Sequence, residues 1–193
     1  MDLSKFFDDE LSEHETVIKA SRDGLRTPFQ NLVSACVNCI RNDGKILFFG
    51  NGGSAGDSQH LATELAVRYK KNRAPIAAVA LTTDTSTLTA IGNDLGFEQL
   101  FARQVEALGR KGDVAIGIST SGRSRNVLLG LAKARELGLI TVAFGGGDGG
   151  ALAEFAEHTL IVPSVTTARI QEVHIMIGQM LCGALESKLG LVG

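Results

Sequence analysis

The sequence lacks an excess of charge of either sign. Nineteen Lys and Arg residues stand against twenty-one Asp and Glu residues, which gives a formal net charge of −2. No segment gathers Lys or Arg into the stripe that contacts with a phosphate backbone require. We therefore expect that the protein does not bind nucleic acid directly.

Long apolar runs are also missing. No run approaches the ~20 residues that a membrane-spanning helix needs. The first residues, MDLSKFFDDELSEHE, are acidic and lack the basic-then-apolar order of a secretory signal. We expect a cytoplasmic protein with no membrane partner.

Cysteine is scarce, with three residues in the chain. Cys36 and Cys39 form a C-x-x-C pair within SACVNCIRN, a pattern that can indicate metal or redox chemistry. No second pair follows, and the apolar spacing around them is typical of a buried helix face. We interpret both as core residues of a protein from a reducing compartment.

The familiar nucleotide loops are absent as well. The apolar run KILFFG leads into Asn51–Ser54, but no Gly-Lys-Ser/Thr follows, and neither does a G-x-G-x-x-G with a later ribose-binding acid. ATP and NAD are therefore disfavoured as ligands.

What the sequence does contain is enough apolar material for one sizeable core. Hydrophobic residues make up 44% of the 193 positions, so we predict a single domain over residues 1–193. Residues 1–42 of that domain form an N-terminal helical pair, with helices at 3–22 and 27–42. The break falls at Thr27–Pro28, with Thr27 as N-cap and Pro28 at the first helical position.

From Lys45 onward, short apolar runs alternate with helical segments. The runs lack polar alternation, which indicates strands buried on both faces of an open parallel sheet. We predict an α/β fold in which five strands are flanked by helices and followed by a long C-terminal helix. The strands are KILFFG, IAAVAL, DVAIGIS, LITVAFG and HTLIVPS, and the helices are 54–69, 98–108, 123–137, 150–156 and 167–189.

Two loops that follow strands are suited to anions. Glycines in Asn51–Ser54 let backbone N–H groups approach an oxyanion at the start of a helix. Residues 119–124 carry four hydroxyls in six positions, which suits a phosphate monoester. A Ser/Thr-rich turn is by itself more typical of helix capping. Two such loops at the carboxyl ends of parallel strands favour phosphate binding.

Two helices carry side chains of the kind that ligate metals or move protons. His60 and Glu64 are four residues apart, so they share a helix face and can address one metal or one substrate carbon. A surface ion pair is the simpler alternative. Gln171, His174 and Gln179 interrupt the apolar face of the last helix, either as hydrogen-bonded core groups or as parts of a site.

Four stretches, GNGGSAGDSQHLATEL, ALTTDTSTLTAIGND, FARQVEALGRKGDVAIGISTSGRS and ARIQEVHI, together resemble sugar isomerase (SIS) domains, specifically the bacterial phosphoheptose isomerases. The likeness covers nearly the whole chain. It implies a single SIS domain and conversion of sedoheptulose 7-phosphate to a heptose phosphate for lipopolysaccharide or capsule. It also implies a homotetramer with active sites at subunit boundaries.

The resemblance also implies roles for individual residues. The phosphate would lie at Ser119–Ser124, zinc would be held by His60, Glu64 and Gln171, and Glu64 would be the proton-transferring base. Asn93 and Asp94 lie in IGNDLG, which taken alone is typical of a turn. The implied substrate-binding residues are Asn51, Gly52, Gly53, Ser54, Glu64, Asn93, Asp94, Ser119, Thr120, Ser121, Ser124 and Gln171.

The chain departs from the family at Gln179, where the second proton-transfer and zinc-binding residue is usually histidine. An amide can turn its oxygen toward a metal but cannot titrate, and loss of a general acid–base group costs roughly 10²–10⁴-fold in rate. Gln171 and Gln179 are about 12 Å apart along a straight helix, which argues against coordination of one metal by both. His174 is the nearest replacement.

Two functions remain open at the level of sequence. One is an isomerase that works through an enediolate, and the other is a non-catalytic SIS-fold protein, such as a sugar-phosphate sensor or a relative of the replication-initiator-associating proteins. Those non-catalytic relatives tend to lack the carboxylate that this chain keeps as Glu64. Retention of His60, Glu64 and both anion loops favours the isomerase.

Overall fold

The computed structural model describes residues 1–192 as a parallel sheet between two helical layers. A short 3₁₀ turn, Phe97–Gln99, precedes the fifth helix. The helices are α1 (Leu3–Gly24), α2 (Arg26–Arg41), α3 (Gly53–Ala66), α4 (Thr85–Asp94), α5 (Leu100–Leu108), α6 (Arg125–Glu136), α7 (Leu152–Phe155) and α8 (Thr167–Lys188), and the strands are β1 (Ile46–Gly50), β2 (Ala78–Ala80), β3 (Val114–Ile118), β4 (Ile140–Gly146) and β5 (His158–Val162).

All five predicted strands are confirmed, and they pair in the parallel order β2-β1-β3-β4-β5. β1 and β3 are buried along their whole length, as their continuous apolar runs predict. For β2 the expectation of burial on both faces is wrong, because β2 is an edge strand and Val79 is 39% exposed. The strand order reverses direction between β1 and β3, where the two anion-suited loops emerge.

The two faces of the sheet have separate cores. Phe48 points into a core formed with α2, α3 and α8, whereas Phe49 packs with α4, α5, α6 and α7. Successive side chains of a strand alternate between faces, which sends these neighbours in opposite directions. α3 and α8, which carry the predicted site residues, therefore lie side by side in one layer.

The N-terminal helical pair is present, but its break is displaced from the predicted position. α2 begins at Arg26, and Leu25 carries the bend, with its N–H bonded to the carbonyl of Ser21. Thr27 is therefore not an N-cap, and Pro28 is the third residue of the helix. Proline is tolerated there because the first N–H groups of a helix have no partner within it.

α4 was not expected from the sequence, since TSTLTAIGND is rich in Thr and contains a Gly. Asp84 starts it as an N-cap, accepting hydrogen bonds from the backbone N–H and the hydroxyl of Thr87. Asn93 and Asp94 lie in the last turn of α4 rather than in a loop. The expected turn comes just after them, where Gly96 has a φ of +91°.

The interpretation of the cysteines as core residues is confirmed. Cys36, Cys39 and Cys182 are free thiols buried in the core between the sheet and the layer that contains α2 and α8. Burial raises the pKa of Cys182 to about 12, so it stays protonated near neutral pH. Within residues 1–192, no helix is both long and apolar enough to cross a membrane.

Candidate active site

The two anion-suited loops are joined by a pair of amides. Asn51, which follows β1, and Asn126, in the first turn of α6, exchange two hydrogen bonds of 2.8 Å each. Asn126 is 2% exposed, so this polar bridge is a fixed part of the crevice between β1 and β3. Sequence reasoning missed Asn126, although an Asn in the first turn of a predicted helix is a usable signal.

α3 begins immediately after the first loop. Gly52, with a φ of +55°, is its N-cap and provides no side-chain cap, while the N–H groups of Ser54 and Ala55 bond to the carbonyls of Asn51 and Gly52. A Cβ on Gly53 would lie 2.3 Å from Nε2 of Gln171, which shows how closely that amide covers the start of α3. The structure thus brings Gly53 and Gln171 together, and Ser54 lies beside them at 3% exposure.

The second loop, Ser119–Ser124, folds back on itself at the end of β3. The N–H of Gly122 bonds to the carbonyl of Ser119, and the hydroxyl of Ser119 donates to that of Ser124 at 3.1 Å. Ser124 is the N-cap of α6 but makes no side-chain cap hydrogen bond. Its hydroxyl and the positive end of α6 are therefore available to an oxyanion.

The glycine-rich segment after β4 supports this second loop. Gly122 has a φ of +64°, and a Cβ there would lie 2.1 Å from the carbonyl oxygen of Gly149. Arg123 reaches across to Asp148 at 2.6 Å, and this hydrogen bond lowers the pKa of the Asp148 carboxyl. A cavity of about 410 Å³ lies beside the loop, lined in part by Thr120, Ser121 and Thr167.

Asn93 and Asp94 lie at the exposed end of α4, with the Asn93 amide donating to the Asp94 carboxylate at 2.7 Å. The segment that follows reaches the start of α6, because Glu98 and Arg125 approach to 3.8 Å. Glu98, four residues after Asp94, therefore lies next to the helix that follows the second loop. The structure pairs the side chains of Asn93 and Asp94 with each other rather than with the other predicted site residues.

His60, Glu64 and Gln179 form a contiguous polar group on α3 and α8. His60 Nε2 lies 3.0 Å from Glu64 Oε1 and 3.1 Å from Gln179 Nε2. The side chain of His60 is 49% exposed, and that of Glu64 is 21% exposed. The structure thus brings His60 and Glu64 together with Gln179, the residue at which the chain departs from the family. Gln171 lies toward the other end of α3.

One ring nitrogen cannot both donate to the carboxylate of Glu64 and accept from the NH₂ group of Gln179. The arrangement that satisfies all three groups has His60 Nε2–H donating to the Glu64 carboxylate, with the Gln179 amide turned so that its oxygen faces the ring. Glu64 then accepts this hydrogen bond, and its side chain is still 21% exposed to solvent. Such a carboxylate is able to remove a proton from a carbon next to a carbonyl group.

Asp57 is a further carboxylate that sequence reasoning missed. It lies on α3 three residues before His60 and seven before Glu64, hence on the same face. Its Oδ2 atom is buried without a hydrogen-bond partner in the structure. Burial raises the pKa of Asp57, and the nearby His60 offsets part of that rise.

His174 is not a replacement for the missing histidine. It is 0% exposed and lies beneath β4, where its Nε2–H donates to the carbonyl of Gly145 at 2.9 Å. Burial lowers its pKa to about 4, so the ring is neutral near pH 7. The sequence suggestion that His174 takes over proton transfer is therefore wrong.

The donor set does not fit a zinc ion within one chain. Zinc sites in proteins use three or four His, Cys, Asp or Glu ligands. Here His60 contacts Glu64 and the amide of Gln179, while the buried Oδ2 of Asp57 has no hydrogen-bond partner in the structure. Across residues 1–192 there is no group of three or more such side chains able to hold a metal ion. Gln171, the third expected ligand, instead lies against Gly53.

These groups define an elongated site along α3. Ser54 and Glu64 are ten residues apart, a rise of about 15 Å. The end near Ser54 offers N–H groups and hydroxyls for an anion, and the end near Glu64 offers a carboxylate and an imidazole for proton transfer. An open-chain substrate with a phosphate at one end matches this layout.

The fold and the layout of the site define the class of protein. A family model described as the SIS domain matches residues 11–146, and the chain belongs to this family. Within it, the chain is similar to phosphoheptose isomerases, with 56% identity over 187 residues to that of Paramagnetospirillum magneticum, covering 97% of both chains.

Solved structures agree with this placement. A phosphoheptose isomerase from Neisseria gonorrhoeae superposes with a TM-score of 0.90 at 43% identity, over 96% of this chain and 99% of the other. One from Francisella tularensis gives a TM-score of 0.93 at 35% identity, over 97% and 100%. The resemblance inferred from the sequence is confirmed, as is the SIS fold.

Proposed function

We propose that this chain is an aldose–ketose isomerase of carbohydrate metabolism that converts sedoheptulose 7-phosphate to D-glycero-D-manno-heptose 7-phosphate. The observation that carries the proposal is the distribution of groups along α3, with an anion cradle at one end and Glu64 at the other. Similarity to phosphoheptose isomerases over 97% of the chain supports the choice of substrate. The reaction would serve heptose biosynthesis for lipopolysaccharide or capsule, in the cytoplasm.

The proposed mechanism uses only groups of this chain. The Ser119–Ser124 loop and the N-terminal end of α3 bind the phosphate, which fixes the direction of the open sugar chain along α3. Glu64 removes the proton from the carbon next to the carbonyl and returns it to the adjacent carbon. His60 stays bonded to Glu64 and holds its carboxylate in one orientation, 3.0 Å away.

Between the two proton transfers the substrate is an enediolate, whose oxyanion needs a donor. The amide of Gln179 is suited to that task because its NH₂ group can turn away from the ring toward the substrate. The amide donates a hydrogen bond but cannot give up a proton. The proton that moves between the two oxygens of the enediolate therefore passes through water. Zinc, which the family resemblance implies, has no step in this scheme.

We also propose that a homotetramer encloses the sites. The proton-transfer end is open in one chain, with Met176 at 36% and Met180 at 48% exposure next to Gln179 on α8. On α1, Leu3, Phe7 and Leu11 repeat every four residues and are at least 49% exposed. Apolar surface of this extent is typical of subunit contacts.

Gln179 favours one alternative function, that of a non-catalytic sugar-phosphate sensor. A chain that binds the phosphate but lacks the second titratable group would hold the ligand without converting it. The SIS-fold proteins that associate with a replication initiator are a further non-catalytic precedent implied by the resemblance. The retained Glu64, bonded to His60, favours the isomerase over both.

The experiment is incubation of the purified chain with sedoheptulose 7-phosphate, with aldoheptose phosphate as the expected product. Glu64→Gln is the matched control, because it preserves the shape of the side chain and removes its basicity. Tight binding of the sugar phosphate by both proteins with no product from either would favour the sensor.

A further inference from the structure

A buried ion pair lies at the C-terminal end of α3, next to Glu64. Arg73, in the segment between α3 and β2, and Glu186, on α8, have side chains only 1% and 2% exposed. Arg73 Nε donates to Glu186 Oε1 at 2.9 Å. The same carboxylate oxygen accepts the backbone N–H of Tyr69 at 3.0 Å. Neither residue belongs to the predicted site.

The guanidinium group of Arg73 caps the C-terminal end of α3. Its Nη2 donates to the carbonyl of Glu64 at 2.8 Å, and its Nη1 donates to the carbonyl of Leu65 at 2.7 Å. These are among the last carbonyls of the helix, which carry its negative end and have no partner within it. Arg73 thus holds the backbone of Glu64, the proposed base.

Glu186 ties this cap to the second helix of the site. It lies seven residues after Gln179, and two turns of helix place both on the same face of α8. The pair therefore fixes the end of α3 relative to α8 just where His60, Glu64 and Gln179 meet. A buried ion pair often adds no more stability than apolar residues of similar size, so its presence calls for a different reason.

We propose that Arg73 and Glu186 are positioning residues, which hold the Glu64 carboxylate in place against His60 and Gln179 for proton transfer. This inference rests on the proposed isomerase function. Loss of the Arg73 guanidinium group would let the last turn of α3 shift, and small displacements of a catalytic group have large effects on rate. The substrate's phosphate is bound at the other end of α3, so its affinity should change little.

The chain offers a matched control. Lys45 and Asp113 form a second ion pair, with Asp113 at 4% exposure and bonded to the backbone N–H groups of Lys45 and Arg110. It lies at the amino ends of β1 and β3, the opposite edge of the sheet from the site. Loss of that pair should cost stability without altering Glu64.

The experiment measures Tm, kcat and KM of the full chain and of Arg73→Met, Arg73→Lys, Glu186→Gln and Asp113→Asn, at a temperature well below the lowest Tm. We expect Arg73→Met and Glu186→Gln to lower kcat about tenfold or more, with KM within about twofold. Arg73→Lys should recover part of the loss. Asp113→Asn should keep its kcat despite a lower Tm. Wild-type kcat in folded Arg73→Met or Glu186→Gln, or an equal loss in Asp113→Asn, would overturn the proposal.

A second readout separates this proposal from the proposed function. The ring-nitrogen chemical shifts of His60 report its hydrogen bond to Glu64 whether or not the chain turns over substrate. Arg73→Lys and Glu186→Gln should move them toward the values in Glu64→Gln, and Asp113→Asn should not. If the wild type is inactive but the shifts still move in the variants, the isomerase function is refuted and the positioning role is kept. If the shifts move in neither Arg73→Lys nor Glu186→Gln, the positioning role is overturned.

Discussion

The two ends of α3 differ in how completely a single chain builds them. At the N-terminal end, the Asn51–Asn126 amide pair and the close approach of Gln171 to Gly53 fix the loops before any ligand arrives. At the C-terminal end, His60 is half exposed and is bonded to an amide. The end proposed to bind phosphate is therefore preorganised, whereas at the end proposed for proton transfer the backbone is held by Arg73, which bonds to the carbonyls of Glu64 and Leu65.

The separation of the two ends along α3 bears on how function evolves within this fold. In the proposed mechanism, binding and chemistry depend on groups about 15 Å apart along the helix, so one can change while the other persists. Gln179 is a change of that kind.

Replacement of the base should have the largest effect. We expect Glu64→Gln to lower kcat by roughly 10²–10⁴-fold, because an amide cannot accept the proton, while KM changes little. Steady-state kinetics with sedoheptulose 7-phosphate give both constants, and an unchanged Tm controls for folding. A variant that keeps more than half of the wild-type kcat would assign the base elsewhere.

Removal of hydroxyls from the anion loop should act on binding. Ser119→Ala combined with Ser124→Ala removes two donors to the phosphate, each worth about 1.5–3 kcal/mol when bonded to a charged group. We expect KM to rise by at least about tenfold, with a smaller change in kcat. Inorganic phosphate should also lose its ability to inhibit. Unchanged inhibition by phosphate would place the anion outside this loop.

Restoration of the family's imidazole should change the metal requirement. Gln179→His adds a third zinc-type ligand beside His60 and Glu64, and we expect zinc affinity to rise at least about tenfold. Turnover should then fall on treatment with a chelator and return with zinc, whereas wild-type turnover should respond less. Equal zinc affinity of the two proteins, measured by competition with a chromogenic chelator, would contradict this.

The smallest effect concerns stability. Burial raises the pKa of Asp57, so the folded chain holds that proton more tightly than the unfolded chain. Stability from this group is present below the ordinary Asp pKa and is lost as pH rises through the folded value. Asp57→Asn should therefore raise the free energy of unfolding at pH 7 by up to about 1 kcal/mol.

This gain should shrink as pH falls toward the ordinary pKa of Asp. Urea unfolding at several pH values measures it, and Asp23→Asn, at an exposed position of α1, is the control. A loss of stability in Asp57→Asn at pH 7 would mean that the carboxylate has a partner in solution.

The sequence was informative where local pattern and tertiary structure agree. Continuous apolar runs predicted all five strands, because β1 and β3 are buried on both faces and the edge strand β2 keeps the apolar run although it is partly exposed. α4 was not predicted, because its Thr-rich sequence has weak helix propensity and the helix depends on the Asp84 N-cap. Asn126 gave only its place in the first turn of a predicted helix as a signal, and Arg73 gave none, because their partners lie 75 and 113 residues away along the chain.

The central claim is that Glu64 moves a proton on a bound sugar phosphate despite Gln179. The most direct measurement is incubation of the wild-type chain and Glu64→Gln with sedoheptulose 7-phosphate in D₂O, followed by NMR of the sugar. We predict deuterium at the carbon next to the carbonyl together with aldoheptose phosphate for the wild type, and neither for Glu64→Gln. Binding of the sugar phosphate by the wild type without exchange of that proton would contradict the claim.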